Sequence, residues 1–284
     1  PSTIGKAASI DYYPKTSFIK FKNASITVQD SVLKKLKIDR DWVLNKNTFY
    51  AYGELIDTSD VDTLYRNIYN PSTFTGIVFK ESLERYGTKV KTISRKKTFN
   101  KSYKKISNHL SKPLLHSAIN LMNESDNLTA ELFVKSIGAL DTLPGTWEVG
   151  LDSMKSFLAK EVLIDTSNIR LADGSGVSRY NLTSAAQLNS LLRWMYKSKY
   201  KDDFISTLPS GGQRNSTLEK RLTNEGDLVK AKTGGLSGVR NLAGYLKSRK
   251  YGDVAFSILM NGYTDSSSRY TRVHDQIVKT VIYD

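Results

Sequence analysis

A chain of 284 residues can form one large domain or two modest ones, and its 39% hydrophobic content is that of a globular protein. It contains no cysteine, which excludes disulfides, thiol catalysis and cysteine-based metal sites, and it has no apolar run of about eighteen residues that would span a membrane. Its formal net charge of +14 makes acidic partners plausible, either nucleic acid or an anionic cell-wall polymer.

Residues 1–103 are predicted to be rich in β-strands. Residues 17–22 and 24–28 alternate in polarity like two paired strands separated by Asn23, and residues 47–53 add β-branched and aromatic side chains. A helix is expected over residues 78–86 after a turn at Pro71. The densest basic run, residues 89–105, has no helix-turn-helix, zinc or other nucleic-acid signature. We therefore interpret it as a solvated loop and expect no nucleic-acid partner.

Residues 104–284 show a different pattern, with helical periodicity followed by short strands. Five helices are predicted: one beginning at Pro113, one over 128–137 ended by Gly138, one over 147–163, one capped by Thr183 or Ser184 and running to about residue 200, and a last one capped within 266–268. Three strands are predicted over 228–232, 241–246 and 253–261. The expected class is α/β, more narrowly α+β, with an antiparallel sheet covered by helices.

The segment from residue 228 to 246 draws attention because it combines a strand with a cation, a hydroxyl and two glycines. Its first strand ends at Lys232, and Thr233, Gly234 and Gly235 follow. Glycines lack Cβ and allow the backbone of a ligand to approach closely. A cation and a hydroxyl beside exposed strand amides can bind a carboxylate and an extended peptide. An ordinary hairpin with a polar turn is the alternative.

Three short motifs in this half of the chain point to one enzyme class. Ser125-Asp126-Asn127 and Lys232-Thr233-Gly234 resemble the second and third motifs of serine acyl-transfer enzymes that act on peptidoglycan or β-lactams. The run Asp-Gly-Ser-Gly-Val-Ser-Arg-Tyr-Asn at residues 173–181 resembles one branch of them, the class C low-molecular-mass penicillin-binding proteins, which are penicillin-binding protein 4 type D-alanyl-D-alanine carboxypeptidases and endopeptidases. The resemblance implies a penicillin-binding/β-lactamase-like transpeptidase fold in residues 104–284 and a small β-rich inserted domain in residues 1–103.

The resemblance also implies roles for individual residues. Ser125 would relay a proton to the leaving amine, and Asn127 would hold the peptide group of the substrate. Lys232 would supply positive potential, Thr233 would bind the terminal carboxylate, and the amide of Gly235 would be an oxyanion donor. For Ser125 and Asn127 the alternative is helix N-capping, which these residue types do well.

Five assignments concern Gly235 and four residues in loops and turns. Gly235 departs from the family pattern, which usually has Thr or Ser there, so carboxylate binding is expected to be weaker. Ser237 is either a ligand contact or a residue that shapes the turn. Ser175 is placed near the floor of the cleft, with a structural Asx-turn as the alternative. Asp173 and Arg179 are expected to tie loops together.

The first motif of the family, Ser-x-x-Lys, has no convincing counterpart. The spacing occurs at Ser17/Lys20, Ser31/Lys34, Ser94/Lys97, Ser102/Lys105 and Ser198/Lys201. None of these pairs has the apolar helix that a buried lysine of lowered pKa requires. We therefore expect the nucleophile to lie outside this chain, which would be the C-terminal portion of the enzyme. The missing N-terminal segment would then be a partner needed for full stability.

The predicted function is that of a serine-type D-Ala-D-Ala carboxypeptidase or endopeptidase acting on peptidoglycan stem peptides, with β-lactams as further ligands. A non-catalytic peptidoglycan- or β-lactam-binding module of the same fold is the alternative. The expected location is the periplasm or the extracytoplasmic cell envelope. The three histidines are isolated in sequence, so we expect no metal, and the reaction implies no cofactor.

Overall fold

A computed structural model describes residues 1–30, 34–95, 102, 104–141 and 144–284. Contacts between Cα atoms divide the chain into two units, Pro1–Ser107 and Asn108–Asp284. The predicted boundary after residue 103 lies close to this division. That the first unit is an inserted domain remains a prediction from the resemblance.

The first unit contains a three-stranded sheet of order β1-β3-β2, built from β1 (Lys20–Val28), β2 (Lys37–Arg40) and β3 (Thr48–Ile56). Strand β1 runs parallel to β3, and β2 runs antiparallel to it. The prediction of two paired strands separated by Asn23 was wrong, because Asn23 lies inside β1 opposite Ala51. Its side chain does not turn the chain back. It accepts hydrogen bonds from the backbone and hydroxyl of Ser25 and donates to the Ala8 carbonyl.

One helix completes the described structure of the first unit. Helix α1 (Pro71–Arg85) begins seven residues before the predicted start at residue 78. The Pro71 turn is itself the first turn of the helix, since proline is favoured at that position. Asn70 caps it by accepting a hydrogen bond from the backbone of Thr73 at 3.2 Å. None of its residues is buried.

The second unit is built on an antiparallel sheet of order β4-β5-β6, from β4 (Val229–Leu236), β5 (Val239–Ser248) and β6 (Gly252–Asn261). Each strand is longer than its predicted range. The turn between β4 and β5 has only two residues, so both strands extend further toward it than predicted. Strand β4 therefore contains all of Lys232, Thr233, Gly234 and Gly235, whereas the sequence prediction ended the strand at Lys232.

Six helices accompany this sheet within the described part of the second unit: α2 (Leu114–Glu124), α3 (Asn127–Asp141), α4 (Trp147–Lys160), α5 (Ala185–Lys197), α6 (Lys201–Thr207) and α7 (Ser267–Tyr283). One sheet face packs on α7 through Val229, Ala231, Leu242, Leu246, Val278 and Ile282. The opposite face packs on α2, α5 and α6 through Met122, Leu192, Phe204, Ala243 and Tyr245. Because side chains alternate across a strand, these two clusters fix which β4 residues share a face.

Three helix ends differ from the predictions for physical reasons. Helix α3 continues through Gly138 and does not end there. A Cβ at this position would lie 2.8 Å from the Thr146 carbonyl oxygen, so glycine is needed for close packing of α3 against α4. Helix α4 ends before Leu163, which has a φ of 61°. The predicted helix to residue 200 ends at Lys197, and α6 follows after Ser198. Ser184, one of the two proposed caps, forms a capping box with Gln187.

None of the described helices has the length and apolar character needed to cross a membrane. Over the same residues, no group of three or more His, Asp or Glu side chains is placed to hold a metal ion.

The side chain of His274, on α7, is fully buried. Neither ring nitrogen has a hydrogen-bond partner among the described residues. Burial lowers the pKa of His274, the nearby guanidinium groups of Arg221 and Arg240 lower it further, and Asp275 opposes them. The folded protein therefore holds this imidazole in its neutral form.

We expect His274 to make the protein less stable in mild acid. Below the unfolded-state pKa of about 6.5 the unfolded chain binds a proton that the folded chain binds less readily, so the free energy of unfolding falls as the pH falls. Urea unfolding at about pH 7.5 and pH 5.5 measures this decrease. His274→Leu should show a smaller decrease than the parent, whereas His116→Leu, at an exposed position of α2, should not. Equal decreases in all three proteins would contradict the role of His274.

Candidate active site

The junction between α2 and α3 presents Ser125 at the surface. Ser125 has φ 59° and ψ 50°, a left-handed conformation that ends α2, and it is exposed. The capping of α3 is done by Asp126, whose carboxylate accepts hydrogen bonds from the backbone of Leu128 and Thr129, each at 3.2 Å. Its hydrogen bond from the Thr129 hydroxyl is the main cause that lowers the pKa of Asp126. The hydroxyl of Ser125 is thus not used as a cap, and Asn127 lies exposed at the first position of α3.

Lys232 on β4 reaches this junction. Its Nζ atom donates to Ser125 Oγ at 2.7 Å and to the carbonyl oxygen of Thr233 at 2.8 Å. The structure therefore brings together two of the predicted site residues that are 107 positions apart in the chain. Burial lowers the pKa of Lys232 to about 8, because an ammonium loses hydration where it is partly enclosed. At neutral pH the group is still mainly charged, but it can give up and regain a proton readily.

The outer edge of β4 is paired at one end and open at the other. The backbone of Val229 accepts from Gly211 at 3.3 Å, and that of Ala231 donates to Pro209 at 3.0 Å. Backbone groups on a strand face the same side at every second residue, so those of Thr233 and Gly235 also face outward. No described segment pairs with the edge at those two residues. An extended peptide can add there, with the amide of Gly235 as a donor.

The two glycines of β4 have different surroundings. At Gly234 a Cβ would lie at an ordinary 3.4 Å from the Cβ of Asn241. At Gly235 it would lie 2.0 Å from Nη1 of Arg240, the residue opposite on β5. The prediction that both glycines leave room for a ligand backbone therefore needs correction at Gly235, because the guanidinium of Arg240 fills that space.

Ser237 lies in the two-residue turn that joins β4 to β5. Its carbonyl oxygen accepts a hydrogen bond from Nη2 of Arg179 at 2.7 Å, while its side chain is exposed. Arg179 belongs to the loop 173–181, in which Asp173 accepts from the backbone of Gly176 at 2.8 Å and of Ser178 at 2.6 Å. The expectation that Asp173 and Arg179 tie loops together fits these contacts. A ligand contact of the Ser237 hydroxyl remains a prediction.

Ser175 is held by α3. Its backbone donates to Glu131 at 2.9 Å, the backbone of Gly174 donates to the same carboxylate at 3.0 Å, and the Trp147 indole donates at 2.9 Å. Burial raises the pKa of Glu131, but the hydrogen bonds from Ser175, Gly174 and Trp147 outweigh it and lower the pKa overall. The loop is therefore anchored on an ionised carboxylate four residues after Asn127. A direct role of Ser175 in ligand binding remains a prediction.

The described Ser-x-x-Lys pairs do not form a helical dyad. The Ser17 hydroxyl donates to Glu81 ahead of β1, and the Ser198 hydroxyl donates to the Met195 carbonyl between α5 and α6. The pair at residues 102 and 105 lies outside helices and strands. Two pairs lie partly outside the described residues: Ser31/Lys34 and Ser94/Lys97.

Sequence reasoning missed Arg240, which lies against Gly235. A cavity of about 370 Å³ opens beside them, and its lining also includes Ser237, Tyr263 and Asp265. The signal was present in the hairpin register. A two-residue turn at Ser237 places residue 240 opposite residue 235, but the prediction began the return strand at residue 241.

Comparisons with known proteins agree with the predicted family. The profile of the D-Ala-D-Ala carboxypeptidase 3 (S13) family matches residues 1–281. The chain is 30% identical over 273 residues to the D-alanyl-D-alanine carboxypeptidase of Actinomadura sp. (strain R39), covering 93% of this chain and 50% of that protein. It is 34% identical over 163 residues to the D-alanyl-D-alanine carboxypeptidase DacB of Haemophilus influenzae, covering 56% of this chain and 34% of that protein. The chain thus spans half or less of the length of these curated relatives.

A solved structure confirms the predicted fold. Penicillin-binding protein 4 (dacB) of Haemophilus influenzae, complexed with a novel β-lactam, superposes on this chain with a TM-score of 0.77. The match has 22% sequence identity and covers 100% of this chain and 67% of that structure. At this identity the likeness shows the fold. The antiparallel sheet covered by helices therefore has the fold of penicillin-binding proteins, as the resemblance implied.

We expect Lys232 to titrate with a pKa of about 8, because burial disfavours its charged form. NMR of lysine side-chain signals between about pH 6 and 11 measures this value. The signal that titrates near pH 8 should be absent from Lys232→Gln. A parent protein in which no lysine titrates within about one unit of pH 8 would contradict the burial of the ammonium.

We expect Glu131→Gln to destabilise the second unit by about 1–3 kcal/mol, because the carboxylate that accepts hydrogen bonds from the loop and from Trp147 is replaced by a neutral amide. Chemical unfolding measures the change. Glu161→Gln, at an exposed position after α4, is the matched control and should change stability little. Equal effects of the two substitutions would show that the loop does not depend on Glu131.

Proposed function

Because this chain belongs to the D-Ala-D-Ala carboxypeptidase 3 (S13) family, we propose that it serves in serine acyl transfer on peptidoglycan stem peptides, as a carboxypeptidase or endopeptidase. The observation that supports this most directly is the 2.7 Å hydrogen bond from Lys232 Nζ to Ser125 Oγ beside the open edge of β4. A hydroxyl that is bonded to a partly buried ammonium and stands next to free strand amides can both position a peptide and move a proton.

In the proposed reaction a serine oxygen attacks the carbonyl carbon of the scissile amide. The attacking hydroxyl gives its proton to the lysine of its Ser-x-x-Lys motif, the C–O bond forms, the C–N bond breaks, and the leaving amine takes a proton. Ser125 donates that proton and recovers one from Lys232, whose pKa of about 8 lets it alternate between the two forms. Lys232 then regains the proton that the attacking hydroxyl released, so no proton is gained or lost by the site. The outward amide of Gly235 stabilises the developing oxyanion. Water then hydrolyses the ester and frees the enzyme.

Substrate binding in this proposal uses the strand edge. The peptide lies along β4 as an added strand, with the side-chain amide of Asn127 on its peptide group. Thr233 bonds the terminal carboxylate, and Lys232 contributes positive potential. Gly234, Ser237 and Ser175 line or support the binding edge. β-Lactams are proposed as ligands of the same site, and the structure of Haemophilus influenzae penicillin-binding protein 4 in complex with a β-lactam supports this.

We place the nucleophile outside this chain, because no Ser-x-x-Lys pair of the described residues lies within one helix. The natural setting for the substrate is outside the cytoplasmic membrane, so we propose the periplasm or the extracytoplasmic cell envelope. The lack of a helical Ser-x-x-Lys pair among the described residues also favours a second candidate function. This is a module of the same fold that binds peptidoglycan peptides or β-lactams without catalysis.

Fluorescent penicillin and a peptide titration together test the proposal. We expect the chain to bind N-acetyl-D-alanyl-D-alanine reversibly and to form no covalent penicillin adduct on a denaturing gel. Lys232→Gln should weaken peptide binding by about tenfold or more, because it removes the cation of the site. Lys230→Gln is the matched control, because Lys230 lies on the same face of β4 as Lys232. Its Nζ atom pairs with Asp227 at 3.3 Å, so its loss should change peptide binding little.

Each remaining outcome has a distinct meaning. A covalent adduct on this chain, mapped to one serine by mass spectrometry, would contradict the placement of the nucleophile outside this chain. An adduct formed only by a longer protein that contains this chain would support acyl transfer over the binding module. Failure of the parent chain to bind the peptide, or equal weakening by both lysine substitutions, would overturn the proposed site.

A further inference from the structure

Arg240 occupies the place of a side chain that Gly235 does not have. The two residues are directly opposite each other in the β4–β5 register. Nη1 of Arg240 lies 2.0 Å from the position of a Cβ at residue 235, so the guanidinium lies against the backbone of β4. Gly235 is also the residue whose amide faces the open edge. A fixed positive charge is thus held beside the part of the strand where a peptide would end.

Arg240 lines a cavity, and not all of its hydrogen-bond donors are used by the described residues. The cavity, of about 370 Å³, is lined by Gly235, Ser237, Arg240, Tyr263, Asp265 and Ser267, among others. Nη2 of Arg240 donates to Ser267 Oγ at 3.0 Å. Nε of Arg240 and the hydroxyl of Tyr263 are buried without a hydrogen-bond partner among the described residues. Buried donors without acceptors are unfavourable, so the guanidinium of Arg240 keeps hydrogen-bonding capacity that no acceptor among the described residues uses.

The local charges favour an anionic ligand. Asp265 also lines the cavity, but its carboxylate pairs with Arg269 at 3.5 Å. Within the described residues no carboxylate forms an ion pair with Arg240. The tyrosine beside it is held in place, because its ring stacks on Tyr270 with centroids 3.9 Å apart. The cavity therefore presents an uncompensated guanidinium with a rigid wall.

The faces of β4 separate Arg240 from Lys232. Ala231 packs against α7, so Thr233 and Gly235 share that face by the alternation of side chains, and so does Arg240 opposite Gly235. Lys232 lies on the other face, where it is bonded to Ser125. Thr233 and Arg240 are therefore placed to act on one ligand group, and Lys232 on another.

We propose that Arg240 is a specificity-determining residue that binds the terminal carboxylate of the peptide together with Thr233. This inference rests on the proposed function, because it assumes a peptide lying along the β4 edge. The planar guanidinium matches the geometry of a carboxylate and can bind it through two parallel hydrogen bonds. Gly235 belongs to this arrangement, since any larger residue would displace the guanidinium.

The test compares two ligands that differ only in charge at the C-terminus. N-acetyl-D-alanyl-D-alanine and its C-terminal amide are titrated by calorimetry into the parent chain and into Arg240→Met. We expect the substitution to weaken binding of the carboxylate about 10- to 100-fold and to change binding of the amide by less than about twofold. Arg272→Met, at an exposed position on α7, removes the same charge and should leave both affinities unchanged.

A second variant moves the guanidinium without removing it. Gly235→Ala places a methyl group where Nη1 lies, so binding of the carboxylate should weaken while binding of the amide persists. Gly235→Ala combined with Arg240→Met should be no weaker than Arg240→Met alone, because both act through one contact. Thermal unfolding of each variant verifies that it is folded.

The outcomes separate this inference from the proposed function. An unchanged ratio of carboxylate to amide affinity in Arg240→Met would overturn the inference and leave the proposed function standing. Equal weakening for both ligands would also overturn it, since Arg240 would then only support Ser267. Failure of the parent chain to bind either ligand would overturn the proposed function and the role of Arg240 together.

Discussion

The hydrogen bond between Lys232 and Ser125 joins the two halves of the site. It connects the edge of a sheet to the break between two helices, and neither element alone would define a cleft. Ser125 can take part because Asp126 satisfies the first amides of α3 and leaves the serine hydroxyl available. Lys232 can take part because its stem is enclosed on the helix-covered face of β4, which lowers its pKa to about 8. The proton exchange that we propose for this pair therefore depends on burial as much as on residue identity.

The register of the β4–β5 hairpin is the second constraint. A two-residue turn at Ser237 and Gly238 fixes every cross-strand pair, and a shift of one residue would exchange the two faces of the sheet. Arg179 donates to the carbonyl of Ser237 and so ties this turn to the loop at residues 173–181. That loop is in turn anchored on Glu131 of α3. A chain of polar contacts thus connects the binding edge to the helix that begins at Asn127.

The sequence alone was sufficient where the signals were local. Alternation and periodicity located the sheet and most helices of the second unit, and the motif at residues 125–127 was correctly assigned to a helix break. Failures came where a residue type has two physical uses. Gly138 was interpreted as a helix end but serves close helix packing, and Asn23 was interpreted as a turn but lies inside β1. These uses depend on neighbours distant in sequence, which periodicity does not reveal.

The candidate site shows the same limit. Lys232, Thr233 and Gly235 were predicted from their motif, yet Arg240 was not, because its position against Gly235 depends on the hairpin register. The sequence alone suggested that Gly235 weakens carboxylate binding. In the structure, the missing side chain of Gly235 leaves the space that the guanidinium of Arg240 occupies. The two cations also differ in a useful way. Lys232 can lose its proton near pH 8, whereas an arginine cannot. If Lys232 were the sole carboxylate anchor, each proton it released would weaken its hold on the substrate. An arginine on the opposite face of β4 would keep the carboxylate bound while the lysine exchanges protons with Ser125.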